Sequence, residues 1–171
     1  IYERRMDDMA EVISMEMGAP IDFSKSSQAT AGTFAIEDFL IQLRKFEFEE
    51  KLDDSDNQLF YEPKGVCALI TPWNWPISQV ALKVIPALAA GCTMVLKPSE
   101  LAPLDSIIFA EMLEEAGCPA GVFNLVNGDG AGVGSQLTSH PDIDMVSFTG
   151  STRAGALISH NAADDFKRVG L

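Results

Sequence analysis

The chain is 171 residues long and 47% apolar, and its 25 Asp and Glu against 12 Lys and Arg leave a formal net charge of -13. That length and apolar content suit one domain with a sizeable core, or one domain plus a short appendage, and exclude a disordered chain. The charge excludes a surface that works by neutralising phosphates, so neither nucleic acid nor an anionic membrane is expected as a partner.

At the start, Tyr2, Met6, Met9, Ile13 and Met17 recur at steps of three and four, which predicts an amphipathic helix stopped by Gly18 and Pro20. A second helix is predicted over roughly 27–46, with Phe34, Phe39, Leu40 and Leu43 as its apolar positions. It leads into EFEEKLDDSDNQLFYEP, where Glu47, Glu49, Glu50, Asp53, Asp54 and Asp56 stand against a single Lys51 and a solvated edge or linker is expected. Residues 1–64 thus read as a helical region and acidic connector packing on a second unit, residues 65–171.

From Gly65 the texture changes. Strands are predicted at GVCALIT, TMVLK, VFNLV and MVSFT, with a further one at the terminal FKRVGL, and helices between them over 77–90, 104–116, 132–139 and 152–161. This alternation implies βαβ units in an α/β, doubly wound, Rossmann-like parallel sheet buried on both faces, with ligand at the carboxyl ends of its strands. The longest apolar stretch, PISQVALKVIPALAAGCTMVL, is interrupted by Lys83, Pro86 and Gly91 and does not read as a membrane span. No starting Met or signal peptide is present. Cys67, Cys92 and Cys118 are isolated and lack CxxC or CxH spacing, so no metal site is expected and each reads as a small buried thiol in a reducing, cytoplasmic setting.

Each predicted strand end carries an unusual cluster. In FTGSTRAG, Gly150, Ser151 and Thr152 open a helix whose free N–H groups suit a pyrophosphate, although taken alone an ordinary Ser/Thr cap with a tight glycine turn is the simpler explanation. In KPSE, Lys97 and Glu100 leave the next strand where a dinucleotide's adenosine ribose would rest; a carboxylate there accepts from both hydroxyls and repels a 2′-phosphate, favouring NAD over NADP, the alternative being a surface salt bridge. GDGAGVG only approximates the GxGxxG fingerprint and follows the third strand, not the first. In TPWNWP, Pro72 and Pro76 stiffen the backbone around Asn74, and Trp73 and Trp75 are expected to exclude water. A preorganised amide N–H in a dry pocket is an oxyanion donor, whereas the alternative is an Asn satisfying a turn beside two core tryptophans.

Together, TPWNWP, KPSE and SFTGSTRAG, in this order and spacing, resemble the coenzyme-binding domain of the NAD(P)-dependent aldehyde dehydrogenase superfamily from about Gly65 onward, and SMEMGAP and YEPKGV are similar more loosely. The resemblance implies oxidation of a small-molecule aldehyde to a carboxylic acid through a Cys adduct and thioester, with hydride passing to NAD. It assigns Asn74 to the oxyanion, Lys97 and Glu100 to the ribose, Gly130 to the adenine, Gly150 and Ser151 to the pyrophosphate, and Pro72 with Trp73 to the nicotinamide end. Ile70, Thr71, Ser99, Phe148 and Ala154 complete the implied coenzyme contacts. Arg153 and Ala154 depart from the pattern, since an apolar residue larger than Ala often covers the adenine, so a looser pocket is expected. None of the three cysteines matches the nucleophile, and the chain ends at KRVGL before the family's Glu-Leu-Gly-Gly segment. The expectation is therefore a segment of a cytoplasmic enzyme, inactive alone, whose full-length form is a homo-oligomer, a dimer or tetramer. A CoA-acylating semialdehyde dehydrogenase and a non-catalytic nucleotide-binding module are the alternatives.

Overall fold

The structure, a computed structural model, describes residues 1–52 and 56–171; Asp53 and Asp54 of the acidic stretch lie outside the described residues. A turn of 3₁₀ helix, Glu3–Arg5, runs into α1 (Met6–Met17), which Gly18 ends in the left-handed conformation at φ 74°. Only glycine adopts that conformation without strain, so the sequence stop signal is also the physical one. The predicted stripe is the buried one: Tyr2, Met9 and Ile13 join the main core, with Met6 and Met17 packed against it. Full burial of one such side chain stabilises by about 1.5–3 kcal/mol.

A short turn, α2 (Ile21–Phe23), and a π-helical turn, Ser24–Gln28, lead into α3 (Thr30–Leu43). Here the expected stripe is overturned. Phe34, Leu40 and Leu43 are exposed, and the buried positions are Gly32 and Ala35. Close approach decides this: a Cβ at Gly32 would lie 2.2 Å from the Tyr2 hydroxyl oxygen, so the face that docks is the small one.

The acidic connector is likewise more than a linker. β1 (Glu49–Lys51) pairs antiparallel with β2 (Gln58–Phe60) in a fully exposed hairpin, Glu49 opposite Phe60. Phe46 meets Phe48 and Tyr61 edge-on at 4.9 and 5.0 Å, an aromatic clasp at the open end of the hairpin.

The remaining elements form the predicted doubly wound sheet: β3 (Val66–Ile70), α4 (Pro76–Ala89), β4 (Thr93–Lys97), α5 (Leu104–Glu115), β5 (Phe123–Leu125), a π-helical turn at Gly130–Gly134 with α6 (Ser135–Ser139), β6 (Met145–Phe148), α7 (Thr152–Ala163) and β7 (Arg168–Gly170). All five strands are parallel, in the order β5-β4-β3-β6-β7. Along β3, Cys67 and Leu69 enter the core shared with α1 and α4, while Ala68 and Ile70 enter a second core with Val146 and Ile158. The two-residue side-chain period thus buries both faces, which is why the strand reads as a continuous apolar run. Cys67 and Cys92 are buried, but Cys118 beyond α5 is only half-buried, a correction to the expectation of three buried thiols. Among the described residues no helix is long and apolar enough to cross a membrane, and no three His, Cys, Asp or Glu side chains cluster as metal ligands.

Candidate functional site

In a sheet of this order the chain leaves β3 toward β4 on one side and reappears at β6 on the other, which opens a crevice at the carboxyl ends of β3 and β6. Register aligns three strand ends there, because Ile70 is the partner of Lys97 on one side and of Phe148 on the other. Above them lies a cavity of about 300 Å³ lined by Ile70, Lys97, Gly130, Phe148 and Ala154, together with Thr138, Arg153 and Asn161. Five residues singled out in the sequence, from four separate segments, therefore meet at one place.

The Lys97 ammonium is held firmly. Its side chain is buried, and Nζ donates to the carbonyls of Pro98 and Gly128, the latter at 2.8 Å, and lies 3.6 Å from Glu100 Oε2. The Glu100 side chain is half-exposed and is not part of the cavity lining. Ser99 Oγ accepts from Leu101 N at 3.3 Å, which shapes the turn that presents Glu100. Thr138 and Asn161, joined by a 3.0 Å hydrogen bond, were missed in the sequence. They sit at single positions on two helices, where only the tertiary fold brings them together.

A second cavity of about 480 Å³ shares Phe148 with the first and is lined by Thr149, Gly150, Ser151, Thr152 and Gly155. Ser151 caps α7, its Oγ accepting from Ala154 N at 3.3 Å, so the hydroxyl serves the helix and backbone N–H groups remain to meet an anion. Gly150 is sterically required: a Cβ there would lie 2.4 Å from the Phe148 ring.

The loop after β3 carries Asn74. Thr71 is buried and its N–H donates to Lys97 O at 3.3 Å, tying the start of the loop to the end of β4. At the far end Trp75 takes left-handed angles, φ 52° and ψ 49°, immediately before Pro76 at the first turn of α4. A bulky residue in that region is strained and is held by its surroundings. The Trp75 ring stands edge-on to Phe23 at 5.8 Å and 77°. Asn74 is exposed, as are Trp73 at 49% and Trp75 at 40%, so the expectation of a dry pocket closed by the two indoles is corrected. Stiffness here comes from Pro72, Pro76 and the strained Trp75 backbone.

Two groups near the strand ends have shifted acidity. Burial lowers the Lys83 pKa, and its Nζ donates to Ser147 Oγ at 2.9 Å, placing a weakened cation beneath the end of β6. Burial and the neighbouring Cys92 push the Cys67 thiol up to about 12, which leaves it protonated and unreactive at neutral pH.

Comparison with known proteins places this arrangement. Among curated proteins, 3-succinoylsemialdehyde-pyridine dehydrogenase of a Pseudomonas species is 54% identical over 171 residues. Among solved structures, an aldehyde dehydrogenase from Bartonella henselae superposes with a TM-score of 0.96 at 58% identity over 98% of this chain. Aldehyde dehydrogenase C from Pseudomonas syringae, solved as a Cys-to-Ala variant with NAD+ and octanal, gives a TM-score of 0.95 at 48% identity over 98% of this chain. The chain spans 35% of the length of the Pseudomonas relative, and 36% and 34% of the two solved chains. The sequence profile of the aldehyde dehydrogenase family matches residues 1–171, and this chain belongs to that family.

Proposed function

We propose that these residues form the coenzyme-binding part of an NAD-dependent aldehyde dehydrogenase that oxidises a small-molecule aldehyde to a carboxylic acid. The observation that carries the proposal is the row Lys97, Ile70, Phe148 at the sheet's switch point, with the cavity above it and the Asn74 loop leaving the same strand. The residues fit a dinucleotide. Ile70, Phe148, Ala154 and Leu157 offer apolar walls for a base, the Lys97–Glu100 pair offers a donor and an acceptor for ribose hydroxyls, and the start of α7 at Gly150 and Ser151 offers N–H groups to the pyrophosphate. NAD supplies the hydride acceptor. Pro72 and Trp73 line the nicotinamide end, and the Asn74 amide donates to the oxyanion that forms on the substrate carbonyl. Solved relatives carrying NAD+ support the coenzyme assignment.

The 171-residue chain by itself is proposed to bind coenzyme without turnover. Cys67 and Cys92 are buried, the Cys67 thiol is pushed up to about 12, and Cys118 lies beyond α5 rather than in the cavities at the strand ends. Calorimetric titration with NAD and an assay of NADH formation from a panel of aldehydes test both parts. The full-length protein is expected to bind and turn over, and the isolated chain to bind only. Binding without turnover by the full-length protein would instead favour a non-catalytic nucleotide-binding module, and NADH production by the isolated chain would refute its inactivity. A cytoplasmic setting and a homo-oligomeric full-length protein belong to the same proposal, supported by the free thiols and by a β1–β2 hairpin whose outer edges pair with no other strand among the described residues.

A further inference from the structure

We infer that the groove between α3 and α4 seats the far end of the substrate and selects aldehydes that carry a positive charge roughly 10–12 Å from the carbonyl, with Asp38 as the selecting residue. The inference rests on the aldehyde oxidation proposed above and goes beyond it in naming the class of aldehyde and the side chain that chooses it.

The groove, of about 590 Å³, is lined along α3 from Thr30 to Phe39 and along α4 by Ser78 and Leu82. Further on, Phe39 and Leu43 of α3 share a neighbouring groove with Pro86 and Ala89 of α4, so the two helices run side by side in the same direction. The near end lies by the Asn74 loop. Ser78 stands in the first turn of α4, about one turn past Asn74, and the Gln79 N–H donates to Trp75 O at 3.0 Å. On the other side, Ser26 and Ser27 line the groove from the π-helical turn that directly follows Phe23, whose ring is edge-on to Trp75 at 5.8 Å. One end of the groove is thereby tied to the loop that presents Asn74. Asp38 lies about 12 Å beyond Thr30 along α3, toward the other end.

Hydroxyls line the near end, and the charge sits at the far end. Asp38 is the charged group in the lining, it is exposed, and among the described residues it has no ion pair and no side-chain hydrogen bond. Phe34, one turn before it on the same face of α3, is exposed although apolar, and so is Leu82 of α4. Both stand outside the two cores. They offer an apolar wall to a hydrocarbon stem, and the Phe34 ring offers its face to a cation beside the carboxylate. A terminal carboxylate in the same place is repelled by Asp38, and the net charge of -13 adds to that repulsion.

The experiment is steady-state kinetics of the full-length protein on three straight-chain aldehydes of equal length, about 10–12 Å from the carbonyl to the far end, that terminate in methyl, trimethylammonium or carboxylate. Wild type, Asp38→Asn and Asp38→Lys are compared. The wild type is expected to give the highest kcat/KM with trimethylammonium and the lowest with carboxylate. Losing one partly screened charge contact lowers kcat/KM for the trimethylammonium substrate by about 3- to 10-fold in Asp38→Asn, chiefly through KM, because the contact is equally strong before and in the transition state. Asp38→Lys should invert the order of the two charged substrates, and added salt should narrow their difference in the wild type. The wild-type order and its salt dependence are read without any variant. Equal kcat/KM for the two charged substrates in the wild type, or an equal fall for all three in Asp38→Asn, overturns the inference and leaves aldehyde oxidation standing. Failure of the wild type to oxidise any aldehyde, a short one such as propanal included, overturns both.

Discussion

At the scale of single residues, Asn74 carries the clearest chemical commitment. Its loop is preset by two prolines and by the strained Trp75 backbone, so in the proposed oxyanion role the amide would not need to be organised when charge develops on a carbonyl. In the full-length protein Asn74→Ala is expected to lower kcat by about 10²–10³ while the NAD dissociation constant stays put. Steady-state kinetics with parallel calorimetry decide it, and a kcat within about tenfold of wild type would remove Asn74 from the oxyanion role. Gly150 makes a second prediction at this scale. Gly150→Ala must push the Phe148 ring, which lines both cavities, out of the added methyl's way. Overpacking of this kind costs about 1–3 kcal/mol of stability, and the displaced ring is expected to weaken NAD binding in a calorimetric titration. Glu100→Ser, measured as the ratio of NAD to NADP affinity, should shift that ratio toward NADP; an unchanged ratio would exclude Glu100 from the ribose.

Among the elements, the joint between α1 and α5 stands out because it is made by a side chain far away in sequence. Glu16, near the end of α1, accepts from the backbone N–H of Leu104 at 2.6 Å and of Asp105 at 3.1 Å, so it caps a helix to which it does not belong. Glu16→Ala removes both acceptors and is expected to cost about 1–2 kcal/mol, a drop in Tm of about 2–8 °C, whereas Glu16→Gln keeps an acceptor and should lose less. Thermal unfolding followed by circular dichroism reads the difference; equal Tm values for wild type and Glu16→Ala would show that solvent satisfies those N–H groups equally well. α3 makes a contrasting case. Its apolar side chains are exposed and its small ones are buried, so Gly32→Ala, which drives a methyl into the Tyr2 hydroxyl, should destabilise more than Phe34→Ala does.

For the molecule as a whole, an electrostatic conflict lies beneath that joint. Asp105 is fully buried, and desolvation first and the nearby Glu16 carboxylate second hold its pKa well above the usual carboxylate range. Among the described residues its Oδ2 has no hydrogen-bond partner. Glu16 is also raised, chiefly by burial. A carboxyl whose folded pKa is raised stabilises the fold when protonated, so this contribution is full in acid and is lost as pH rises from the ordinary carboxylate pKa to the folded one. Asp105→Asn, which keeps the shape and removes the titration, should flatten the decline in stability over that interval and unfold at a higher denaturant concentration at neutral pH. Denaturant titrations across a pH series provide the test. Parallel curves for wild type and variant would mean that Asp105 stays ionised in the fold.

Local pattern in the sequence determined a good deal of this protein. The α1 stripe and its Gly18 stop, the five parallel strands and the helices between them follow from periodicity and punctuation, which act over a few residues and survive in any environment. Lys97 was legible for a related reason, since clusters at strand ends converge once the strands are parallel, whereas Ile70, Gly130, Phe148 and Ala154 came from the family resemblance. Other features depended on what packs against what. The small face of α3 docks because Tyr2 arrives against Gly32, and the β1–β2 hairpin forms inside a stretch whose charge pattern signals only solvation. Trp73 and Trp75 stay half-exposed at the surface, with the Phe23 ring edge-on to Trp75. The sequence named Lys97 and Glu100 separately, and the fold sets the Glu100 carboxylate 3.6 Å from the buried Lys97 ammonium. Helical and strand periods record which residues are apolar or charged. Strand register and helix docking bring together residues dozens of positions apart, and they decide which of those residues meet a ligand.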